Sequence, residues 1–148
     1  MSQFNFRLQT ILRLREAERD RRRNELAEAL AAERALSAQL AKLQADLEAL
    51  QRELISAASP GSISVEKLLE GRRYEVTLQA QAKFLEGERA KILAEIDRRR
   101  LALTQADMAV KVLEKLRQRR LTQWESEQVR RTLRELDELA SSRSGIQT

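Results

Sequence analysis

Histidine and cysteine are both missing from these 148 residues, proline occurs once and glycine four times. Without cysteine there is no disulfide framework, no thiolate nucleophile and no cysteine-based zinc site. Without histidine the commonest general base and metal ligand is gone, and with it the usual sensor of pH near neutrality. Five glycine and proline residues cannot punctuate a β-rich or α/β chain, which needs a turn every ten or so residues. Aromatic residues make up 3% of the chain, too few for a conventional globular core. The longest uncharged stretch, Leu54 to Val65, holds Ser56, Ser59, Pro60 and Gly61. It is too short and too polar to span a bilayer, which takes about 20 apolar residues. The opening MSQFNFRLQ has no apolar run before the charges begin, so no secretory leader is expected and the chain reads as cytoplasmic.

What remains is 42% apolar, mostly Leu and Ala, and 34% charged, the composition of long helices and coiled coils. One strong break interrupts it, Ser56-Ala57-Ala58-Ser59-Pro60-Gly61-Ser62. Pro60 lacks an amide proton and biases Ser59 away from helical angles, while Gly61 tolerates left-handed ones. Ser62 or Ser64 can cap a new helix, with Glu66 well placed in its first turn. The pattern predicts a single hairpin: helix 1 over about 3–57, a turn over 58–63, helix 2 over about 64–141, and a flexible tail over 142–148. Gly71 and Gly87 fall inside helix 2 and weaken it locally, each by about 1 kcal/mol relative to Ala.

Before the break, Leu36, Leu40, Leu43, Leu47, Leu50 and Leu54 are spaced alternately four and three, a coiled-coil seam. Extended backwards, the seam takes in Ala29 and Leu26 and then lapses across Glu18 to Glu25, ERDRRRNE. After the break, Leu78, Leu85 and Ile92 repeat at seven, and Ile96, Leu103 and Val110 repeat in a shifted frame. The shift resembles a stutter. A last seam, Val129, Leu133, Leu136 and Ala140, runs four, three, four.

Two long helices joined by a short turn must run antiparallel, with residue i opposite roughly residue 120 − i. Helix 1 is then used up near Val112, and helix 2 continues for about 20 residues, roughly 30 Å. Leu121, Trp124, Val129, Leu133 and Leu136 on this overhang are expected to lack a partner within the chain. An unpaired stripe of that kind invites self-association or insertion into another protein.

The basic excess is local. Arg98, Arg99, Arg100, Lys111, Lys115, Arg117, Arg119 and Arg120 face only Asp107 and Glu114, leaving +6 in one segment against +5 for the chain. Arg13, Arg15, Arg19, Arg21 and Arg22 fall opposite in the hairpin, so its open end is a positive collar. Two readings stand: a solvated face laced with intrahelical pairs, or a docking surface for an acidic protein rim. Nucleic acid is not an expected partner, because basic-zipper charge belongs to parallel helices and no aromatics are interleaved for stacking.

Nothing in the sequence assembles catalysis. There is no phosphate-cradling glycine loop, no His-containing motif and no triad, so neither an enzyme, a metal nor a cofactor is expected. Trp124 is read either as a core knob or, lacking a partner helix, as a contact for another protein. Tyr74, Leu78, Gln81 and Leu85 form a stripe near the turn that is either core or partner surface.

Three segments resemble a known family. FNFRLQTILRLREAE (Phe4 to Glu18), VKVLEKLRQRR (Val110 to Arg120) and LRELDELASSR (Leu133 to Arg143) look like the flagellar export protein family FliJ. The resemblance implies an all-α, antiparallel two-helix coiled coil with an overhanging C-terminal helix, similar to the γ-subunit stalk of rotary ATPases. It implies a non-catalytic stalk that inserts its terminal end into the ring of the hexameric export ATPase FliI and contacts the export gate protein FlhA. A link to the recycling of export chaperones also follows from it. On that basis Arg13, Arg117, Arg119, Arg120, Trp124, Leu133 and Leu136 would bind the ATPase ring. Tyr74, Leu78 and Leu85 on helix 2, with Gln39, Leu43 and Leu50 on helix 1, would bind the gate; Asp46 stands where the family often has an aromatic.

The implied location is cytoplasmic, held peripherally at the inner membrane of the flagellar base through partners alone. The competing readings are a coiled-coil adaptor that homodimerises through the overhang, and the corresponding stalk of a virulence-type secretion system.

Overall fold

The computed structural model describes residues 2–61 and 64–146. Ser62, one of the two caps considered for helix 2, lies outside the described residues, as do Ile63 in the expected turn and the last two residues of the expected tail. Two helices account for nearly everything else: α1, Gln9–Ala57, and α2, Val65–Ile146. They pack against each other as an all-α helical hairpin, with no strand among the described residues. The pairs Glu33–Arg89 and Gln51–Glu75 join the helices, and their midpoints fall at residues 61 and 63, so the two run antiparallel about the Pro60-Gly61 break.

Local chemistry sets the boundaries at that break. The Ala58 amide donates to the Leu54 carbonyl and the Ser59 amide to the Ser56 carbonyl, which tightens the last turn of α1. Gly61 has a φ of 114°, an angle that a side chain would disfavour. Ser64 caps α2: its hydroxyl oxygen accepts from the Lys67 amide at 3.4 Å and its carbonyl from the Leu68 amide.

Two expected boundaries are corrected. The sequence places the start of helix 1 near residue 3, but α1 begins at Gln9 and the described residues before it are irregular or in a turn. Tertiary packing overrides helix propensity there. Outside a helix, Phe6 enters a buried cluster with Val110 of α2, and Phe4 packs against it. The expected flexible tail is also helical as far as Ile146. In this final stretch the Ser142 and Ser144 hydroxyls donate back to the Leu139 and Ser141 carbonyls.

The described residues divide into two compact units, one of Arg22–Leu103 and one drawn from Met1–Arg21 with Thr104–Thr148. Within the first, Ala29, Leu78 and Ile96 are buried. So is Glu75, whose carboxylate accepts from Gln51 at 3.3 Å and from Arg72 at 2.9 Å. At the end of the lapsed α1 seam, Arg99 on α2 donates to the Glu25 main-chain carbonyl and to the Glu95 carboxylate. Within the second unit, Phe6, Leu12 and Val110 form a buried cluster, with Phe4, Leu8, Leu113 and Leu116 packed around it.

Candidate functional site

In the unit drawn from residues 1–21 and 104–148, the residues before α1 make a groove against α2. Phe6 enters the buried cluster, while Phe4 lies with its ring centroid 6.0 Å from that of Trp124 and tilted by 56°. The Arg117 guanidinium sits over the Phe4 ring at 5.8 Å, a cation–π distance. Arg120, Gln123 and Glu127 complete the groove beside Trp124.

This corrects the expectation that Leu121 and Trp124 lack any cover. Both are half-buried, and Trp124 is partnered by Phe4. The structure thus brings Arg117 and Trp124 together through a residue that the reading of the helices did not use. The available signal was the Phe-x-Phe spacing. Arg13, Arg119 and Arg120 remain exposed.

Beyond Trp124 the picture changes. Every described residue from Val129 onward is exposed, Leu133 at 56% and Leu136 at 57%. Val129, Leu133 and Leu136, with Leu139 beside them, leave an apolar stripe on a bare helix. That is unusual for side chains that each gain about 2 kcal/mol from burial. Leu136, Leu139, Ala140, Arg143 and Ser144 line a shallow groove on it. The stripe can bind a complementary helix or pore surface.

In the Arg22–Leu103 unit the residues assigned to gate binding do not share one face. Leu78 is buried at 4% exposure and Tyr74, one turn away, is exposed at 54%. Gln39 is exposed, whereas Leu43, Leu50 and Leu85 are half-buried in the seam. An exposed apolar run lies elsewhere on α2: Val76, Ala80 and Phe84, each four residues from the next, with Gln81 and Leu85 beside them. The spacing was visible in the sequence, but the seam through Leu78 and Leu85 masked it.

The Glu33 carboxylate has two side-chain donors. A hydrogen bond from the Ser37 hydroxyl at 2.7 Å, then one from Arg89 at 3.2 Å, hold it below the usual carboxylate range. Among the described residues, no group of three or more carboxylates converges to hold a metal ion, and no helix is long and apolar enough to cross a membrane. The exposed surface holds apolar stripes and basic side chains that a partner can meet.

Comparison with curated proteins and with solved structures returned no match. The family described as Flagellar FliJ protein matches residues 4–146, nearly the whole chain including the Phe4 groove and the exposed stripe, and the chain therefore belongs to the FliJ family of flagellar export components.

Proposed function

We propose that this chain is a non-catalytic coupling component of the flagellar export apparatus, docking the exposed end of α2 into the ring of the hexameric export ATPase FliI. One observation carries the reading: Val129, Leu133, Leu136 and Leu139 form an apolar stripe on a helix that nothing in the described chain covers. Such a stripe gains burial only from another molecule. The exposed Arg13, Arg119 and Arg120, together with Arg117 and Trp124 at the Phe4 groove, suit an acidic rim around the entry. An asymmetric insert contacts six equivalent subunits unequally, so it can bias their nucleotide states by differential contact. The export gate protein FlhA would meet the other unit, through exposed Tyr74 and Gln39 rather than buried Leu78. Handling of export chaperones would follow from the same surfaces. Location at the inner membrane would be peripheral and through partners.

The test is stimulation of the export ATPase by the full chain carrying Leu133→Asp and Leu136→Asp. Helical content should be retained, since both side chains are already exposed. Stimulation should fall to the unassisted rate; full stimulation by a helical double variant would refute docking through this stripe.

A further inference from the structure

The exposed stripe has a second complement, which is itself. Val129, Leu133, Leu136 and Ala140 are placed symmetrically about a point between Arg134 and Glu135. Val129 and Ala140 lie equally far from that point, and so do Leu133 and Leu136. An antiparallel copy therefore sets Leu133 against Leu136 and Val129 against Ala140, matching seam layers throughout.

The charges follow the symmetry with opposite sign at Arg134 and Glu135 and at Arg131 and Glu138, and each half keeps a net charge opposite to the other although Glu127 and Arg143 run the other way. Arg130, Arg131 and Arg134 precede the centre, and Glu135, Asp137 and Glu138 follow it. An antiparallel partner lays each basic half on an acidic half, whereas a parallel one lays like on like. Beside the seam, Arg130 comes next to the partner's Asp137, twice over, and Leu139 next to the partner's Thr132. Among the described residues none of these six charges is held in an ion pair, although the body of both helices is laced with them. Trp124 falls on the back of α2 relative to Ser126 and Val129, so the Phe4 groove does not obstruct the approach.

We propose that the segment of α2 from about Ser126 to Arg143 pairs antiparallel with the same segment of a second copy, in the register centred between Arg134 and Glu135. The pair covers Leu133 and Leu136, so dimer and docked forms exclude one another. The stripe is then sheltered when no other partner holds it.

The test reads mass and needs no ATPase, so its failure is separate from failure of the docking reading. Sedimentation of the full chain from about 1 to about 200 μM, a range bracketing micromolar affinity, should show the mass doubling from 17.1 kDa. The variant Arg130→Glu, Arg131→Glu, Arg134→Glu and the variant Glu135→Arg, Asp137→Arg, Glu138→Arg should each stay single, and an equal mixture should form a heterodimer. A wild-type mass constant at 17.1 kDa, or charge variants that self-pair as well as wild type, overturns the proposal. Geometry is read separately, because the chain has no cysteine of its own. Ser126→Cys with Arg143→Cys on one chain should cross-link copies on oxidation, while Ser126→Cys alone should not. Cross-linking by the single variant would mean parallel pairing and would also overturn it.

Discussion

Arg99 on α2 donates a guanidinium N–H to the main-chain carbonyl of Glu25 on α1, where the apolar seam of α1 has lapsed. Its Nε also holds the Glu95 carboxylate at 2.9 Å, so one planar fork spans both helices. Arg99→Lys keeps the charge but loses the fork. It should lower stability by about 1 kcal/mol, and Arg99→Ala by about 1–2 kcal/mol. Urea unfolding followed by circular dichroism checks both, and a Lys variant as stable as wild type would show that charge alone matters.

That contact also marks where sequence reasoning runs short. The hairpin, its antiparallel register and the break at Pro60-Gly61 were legible, because a short turn between long amphipathic helices leaves one topology. The lapse across ERDRRRNE looked like a gap in the seam. It is a stretch that Arg99 reaches from α2, and periodicity counts only apolar residues. Phe4 and Phe6 were misassigned to helix 1 because their value lies in reaching α2, which no local propensity encodes. Tyr74 and Leu78 share a stripe in sequence, yet one faces water and the other the core, because a face defined by spacing of four is wider than the seam it straddles.

Phe4→Ala should expose Trp124. Because the chain has one tryptophan, its emission reports this site alone. The loss of a tilted ring pair and of the Arg117 contact should cost about 1–2 kcal/mol and shift the emission to the red, with helical content nearly unchanged. Phe4→Leu should keep part of the burial and give a smaller shift. An unmoved spectrum for Phe4→Ala would mean that the ring contact is not maintained in solution.

Glu33 links stability to pH with a definite sign. Its folded carboxyl is held below the ordinary range, first by the Ser37 hydroxyl and then by Arg89, so its contribution is present above the unfolded carboxylate pKa. The contribution is lost as pH falls through the lowered folded value. Glu33→Gln should therefore be less stable than wild type at neutral pH, and the gap should close on acidification. Denaturation midpoints measured at neutral pH and well below the carboxylate range give the comparison. A gap that persists in acid would assign the effect to shape rather than charge.

Gly71 and Gly87 both sit inside α2, but their surroundings differ. A Cβ at Gly87 would meet nothing within 4 Å, so Gly87→Ala removes unfolded-state freedom at no packing cost. It should stabilise the chain by about 0.5–1 kcal/mol. A Cβ at Gly71 would fall on Leu54 Cδ2 and lie 3.3 Å from Leu54 Cγ, on the neighbouring helix. Leu54 is half-buried and must turn out of the seam to admit it, which gives up burial that the helix gain only offsets. Gly71→Ala should thus fall below Gly87→Ala by at least about 1 kcal/mol, and Leu54→Ala in the same chain should narrow that difference. Thermal melts of the four variants decide it: if the two glycine substitutions stabilise equally, Gly71 is not there to let the helices approach.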